Sequence, residues 1–169
     1  MKDEMMNNGR LVSEVAVEDN VKDTIIDVSE RLKQVDYNPM ILHGEAAHTA
    51  KFLTELGAYE AEETANWNIR EVTGEQLVKD YTDSVTYGHV ADYMESFVKL
   101  DRLVVTNFDY VLEKADVLEQ RFVVRLFDGL IFKMRQVIVT IEDDVIAYEA
   151  NAIPELIDLL SKATEVGVK

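Results

Sequence analysis

Apolar side chains recur at helical spacing through the first hundred residues, then crowd into denser runs. Val21, Ile25, Val28, Leu32 and Val35 stand 4, 3, 4 and 3 residues apart, so all five share one stripe of a helix over about 19–35. Asp19 and Asp23 near its start and Arg31 and Lys33 near its end suit the helix dipole. Asp36-Tyr37-Asn38-Pro39 then stops it. Leu42, Ala46, Leu53 and Leu56 suggest a second helical stretch over about 40–64, which Gly57 can divide. Thr73 followed by Gln76 reads as a capping box opening a helix through Leu77, Val78, Tyr81 and Val85. After Gly88, Val90, Tyr93, Met94, Phe97 and Leu100 resume the helical period.

Beyond about Leu103 the pattern changes. Residues 121–149 are dense in Val, Ile and Phe, and Asp128-Gly129 between two apolar stretches is a hairpin signal. Phe122, Val124 and Leu126 alternate with Val123, Arg125 and Phe127, and a second turn fits Glu142-Asp143-Asp144. A competing helical period joins Val111, Ala115, Leu118, Phe122, Leu126 and Leu130. β propensity favours strands from 122 onward. Pro154 suits a first helical turn, with Leu156, Ile157, Leu159 and Leu160 as the face of a closing helix over about 154–163. The expected fold class is α+β: a mostly helical N-terminal two-thirds, a C-terminal antiparallel β-meander over 122–148 and a closing helix. An all-α bundle is the alternative. Residues 1–18 show no strong period and are expected to form a flexible arm before a single globular domain over 19–169.

Composition narrows the function classes. The 169 residues carry 33 acids and 17 bases, a formal net charge of −16, with no cysteine. Disulfides, thiolate nucleophiles and cysteine-ligated metals are excluded. No apolar run is long enough to cross a membrane, and the start has no secretory signal, which points to a cytoplasmic protein. The acidity is graded: 14 acids against 6 bases over 1–65, 11 against 5 over 66–120, and 8 against 6 over 121–169. Such a surface argues against direct contact with nucleic acid, which needs clustered cations. The local exception is Arg121, Arg125, Lys133 and Arg135, which read either as a solvated outer face or as a docking patch for an acidic neighbour.

Candidate chemistry is thin. Glu45 and His48 form a Glu-x-x-His pair like those of di-metal carboxylate bundles, but the second copy of the motif is missing, so neither metal nor cofactor is expected. Glu60, Glu62 and Glu63 crowd one segment and read as a solvated acidic helix or as part of an interaction face. Trp67, the sole tryptophan, suits either a core plug or an interface anchor. There is no Gly-rich phosphate loop, no G-x-G-x-x-G and no H-E-x-x-H. The sequence therefore points first to a non-enzymatic acidic interaction or assembly protein that self-associates. A nucleic-acid-mimicking inhibitor of a nucleic-acid-binding protein is the second reading, and a small metal-binding helical protein using Glu45 and His48 is the third. The first two imply a protein partner, for the first a further copy of the chain, with no membrane involved.

Overall fold

The computed structural model describes residues 4–7, 10–15, 21–34 and 38–168. Its strands are β1 (Glu4–Asn7), β2 (Arg10–Val15), β3 (Met40–His43), β4 (Ile69–Thr73), β5 (Arg102–Thr106), β6 (Gln136–Ile141) and β7 (Thr164–Val168). Its helices are α1 (Val21–Leu32), α2 (Ala46–Tyr59), α3 (Gly74–Thr86), α4 (Val90–Glu95), α5 (Asp109–Glu113), α6 (Val117–Phe132) and α7 (Pro154–Ser161). All seven strands form one sheet in the order β1-β2-β7-β3-β6-β5-β4. β1 pairs antiparallel with β2, and every other pairing is parallel. The span expected as a flexible arm thus contains two strands of the sheet.

Burial on both faces explains the parallel sheet. Met40 and Leu42 of β3 join Val104, Ile138, Val166 and Val168 in a core closed by Ile25, Val28 and Leu32 of α1 and Phe52 and Leu56 of α2. Ile41 points to the other face, where Leu103, Val105, Val137 and Val139 meet helices α3 to α7. Strands covered on both sides read as unbroken apolar runs such as Leu103-Val104-Val105, without hydrophobic-polar alternation.

The expected α+β meander, and the all-α alternative, are both overturned: the fold is α/β around a parallel sheet. Residues 117–132 are helix α6, which buries Phe122, Val123, Leu126, Phe127 and Leu130, so the competing helical period was the operative one there. Asp128-Gly129 lies inside that helix and makes no hairpin. β6 falls within the 122–148 stretch expected as antiparallel strands, but its neighbours are β3 and β5, both parallel to it. Residues 40–43, expected as helix, form β3, because Met40, Ile41 and Leu42 are wholly buried between the two helical layers. α1, α3 and α7 lie where their periods place them. Thr73 Oγ1 accepts from the Gln76 N–H at 3.1 Å, and Pro154 opens α7.

Candidate functional site: the cleft at the carboxyl ends of the strands

β3 and β6 are neighbours whose following helices cover opposite faces of the sheet: α2 one core, α7 the other. Such a reversal opens a crevice at the carboxyl ends of the strands, the usual ligand position in open α/β sheets. Here a cleft of about 330 Å³ lies at that point, lined by Gly44 and Thr49 on the β3 side, Thr106 and Asn107 after β5, and Thr140 and Glu142 after β6.

Backbone N–H groups hold its floor. The Gly44 N–H donates to Ile141 O at 3.0 Å, Asn107 N–H to Thr140 Oγ1 at 3.0 Å and Phe108 N–H to Thr140 O at 2.8 Å. Asn107 adopts φ 47°, a left-handed conformation that asparagine tolerates well. Asp109 Oδ2 accepts from the Glu142 N–H at 2.9 Å and from the Tyr148 hydroxyl. Burial, followed by the bond to Asp109, pushes the Tyr148 phenol above its ordinary range. Glu71, Asp109 and Glu142 give the cleft wall three carboxylates and no lysine or arginine. A second, more open hollow beside it adds Glu75, Glu113 and Asp143, with Lys114 as its only lysine or arginine.

A parallel sheet with a crevice at such a reversal is the architecture of nucleotide-binding α/β proteins. The comparisons agree. Residues 16–167 match the family model of the bacterial DnaA ATPase domain, and the chain belongs to that family. Domain III of the Thermotoga maritima replication initiation protein DnaA superposes with a TM-score of 0.76 at 17% identity, over 89% of this chain and 63% of that one. A replication initiator DnaA bound to AMPPCP and single-stranded DNA gives 0.75 at 13% identity, over 90% of this chain and 46% of that one. A putative primosome component from Streptococcus pyogenes gives 0.64 at 10% identity, over 90% and 80%. The chain therefore spans 63% of the first of these proteins and under half of the second.

Family membership overturns all three functional readings of the sequence: the acidic assembly protein, the nucleic-acid mimic and the metal-binding bundle. The partner expectation falls with them, since exclusion of nucleic acid cannot stand in a family with a member solved on single-stranded DNA. Net charge misled because it describes the whole surface, whereas family identity resides in the buried strands.

The fold implies a nucleoside triphosphate with Mg²⁺, and the residues present do not fit that group. P-loop proteins supply outward backbone N–H groups, a lysine for the phosphates, and a Ser/Thr hydroxyl with a second-strand Asp for the metal. Here Thr49 is buried, and its hydroxyl donates back to Ala46 O at 3.2 Å. Asp109 already accepts from Glu142 and Tyr148, and no base lines the cleft.

The sequence-chosen residues lie elsewhere. His48 and Glu45 approach only to 4.0 Å at the start of α2, and among the described residues no group of three or more potential ligands could hold a metal. Glu60, expected on an interaction face, is 2% exposed and bound to Arg102 inside the protein. Glu62 and Glu63 are exposed, and Glu63 pairs with Lys33 at 3.1 Å. Trp67 is half-buried, its ring 5.5 Å from the Arg102 guanidinium. Arg121 and Arg125 are exposed on α6, Lys133 is exposed just beyond it, and Arg135 pairs with Asp101 at 3.0 Å. Sequence reasoning missed Thr140, Asp109 and Glu142, which converge only when β5 and β6 lie side by side.

Proposed function

We propose that this chain acts in the initiation of DNA replication, as a DnaA-type domain that contacts single-stranded DNA in the cytoplasm. The family match across residues 16–167 carries the reading. A relative solved with single-stranded DNA supports the ligand class. On so acidic a chain, the contact has to avoid most of the surface.

One band suits it. Leu118, Arg121, Arg125 and Phe132 are exposed at helical spacing along one side of α6, and Lys133 follows at its end. Phe132 is 88% exposed, which leaves its ring open to a base. Cations beside an exposed aromatic are what an unpaired strand uses: phosphates meet the cations, and bases stack on the ring.

Fluorescence anisotropy with a labelled oligothymidylate tests this. Arg121, Arg125 and Lys133 together predict a log–log salt slope of about −2, at roughly −0.7 per phosphate neutralised. Arg121→Glu with Arg125→Glu should abolish binding at low salt. Absence of binding by the wild type at low salt, or binding that ignores the reversal, would overturn the reading.

A further inference from the structure

We infer that this chain works without nucleotide, because the strand–helix junction that cradles phosphates in P-loop proteins is closed here by the chain's own backbone. The inference rests on the DnaA-type reading only for the expectation that a nucleotide would sit at this junction.

The first observation is register. The phosphate-loop pattern runs G-x-x-x-x-G-K-[ST]. Counted from Gly44, the second glycine falls on Thr49, the lysine on Ala50 and the hydroxyl residue on Lys51. All three positions fail. α2 begins at Ala46, so only Gly44 and Glu45 separate it from β3, and Thr49 to Lys51 are already helical. No loop of the required length exists.

The second observation is how the junction is occupied. A Cβ built on Gly44 would lie 2.0 Å from the Val168 carbonyl oxygen, so the end of β7 presses directly on this residue. On its other side the Gly44 N–H is spent on Ile141 O at 3.0 Å. Gly44 has φ 153°, a backbone that only glycine adopts readily. An amide that would face a phosphate is instead folded into the sheet.

The third observation is charge. Glu45 stands at the head of α2, where a phosphate would meet the positive end of the helix dipole. Glu71, Asp109 and Glu142 line the wall. An incoming polyphosphate would meet like charge at Glu45 and along that wall, and no lysine or arginine lines the cleft to offset it.

The test uses the full chain and three ligands: Mg·ATP, Mg·ADP and Mg·AMPPCP. Equilibrium dialysis should show no saturable uptake of any of them up to millimolar concentration, and thermal unfolding should not move. Binding of the oligothymidylate should be the same with and without ATP. Saturable uptake near one nucleotide per chain, or a midpoint rising with ATP concentration, would overturn the inference. Its failure is separable from that of the DNA reading. Nucleotide uptake with intact DNA binding sinks only this inference, whereas refusal of both ligands sinks only the DNA contact.

Discussion

Arg102 grips Glu60 through two parallel hydrogen bonds, Nη1 to Oε1 at 2.8 Å and Nη2 to Oε2 at 3.0 Å, with the two residues only 4% and 2% exposed. Arg102 opens β5 and Glu60 follows α2, so the pair ties helix to sheet at the end opposite the cleft. Ser29 of α1 donates to Glu60 Oε2 at 2.9 Å, and Arg102 Nε donates to Gln136 of β6 at 2.8 Å. A buried carboxylate is tolerated because each oxygen has a partner. Glu60→Gln leaves a buried guanidinium without its counter-charge and should cost about 3–5 kcal/mol. Adding Arg102→Met should recover much of that loss. Urea unfolding of the four members of this cycle checks it; a single-variant cost under about 1 kcal/mol would contradict a buried pair.

Gly44 and Gly57 should respond to alanine in opposite directions. At Gly44 the new methyl would collide with a main-chain carbonyl 2.0 Å away, and φ 153° strains any side chain. The expected loss is about 3 kcal/mol or more, enough to threaten folding. At Gly57, within α2, a Cβ would meet nothing within 4 Å. Gly57→Ala should stabilise by about 0.5–1 kcal/mol through helix propensity. Thermal midpoints of the two variants decide the matter.

Alkaline pH should loosen the fold through Tyr93 and Tyr148. Burial is the larger cause of the raised pKa at both; Tyr93 also donates to Leu77 O at 2.9 Å, and Tyr148 to Asp109. A phenol whose folded pKa lies above the unfolded value of about 10 contributes fully below that pH. Its contribution falls as pH rises from there through the folded pKa, because the unfolded chain releases its proton first. Unfolding free energy should therefore decline above about pH 10, and less steeply in Tyr93→Phe and Tyr148→Phe. Equal slopes in wild type and variants would rule this out.

Legibility followed where the physical signal is local. α1, α3 and α7 declare themselves by amphipathic period and by caps at Thr73 and Pro154. β3 and β5 are short apolar runs covered on both faces, and such runs resemble buried helix when read in isolation. Val137-Ile138-Val139 was readable as strand, but parallel partners 34 and 98 residues away leave no local mark. The cleft was hidden for a different reason. A phosphate loop is recognised by its residues, and this chain keeps the place without them, so Gly44-Glu45 passed as part of a helical stretch over about 40–64. Asp109, Thr140 and Glu142 come from separate strand ends and share no spacing to detect.

The misreading of α6 has a chemical cause that mutation can reverse. A helix ordinarily stops at a glycine in the left-handed conformation just past its end. Here that position is Met134, with φ 61° and 74% exposure, while the glycine, Gly129, sits inside the helix where a Cβ would meet nothing within 4 Å. Stop and interior have exchanged their usual residues, so Asp128-Gly129 imitates a hairpin turn and the true end goes unmarked. Met134→Gly removes the cost of a left-handed side chain, about 1 kcal/mol. Gly129→Ala lowers the entropy of the unfolded chain and should add about 0.5–1 kcal/mol. The two sites are five residues apart and exposed, so the gains should be nearly additive, with the double variant about 1.5–2 kcal/mol above wild type in urea unfolding. Destabilisation by Met134→Gly would show that the methionine side chain holds a contact worth more than its backbone strain.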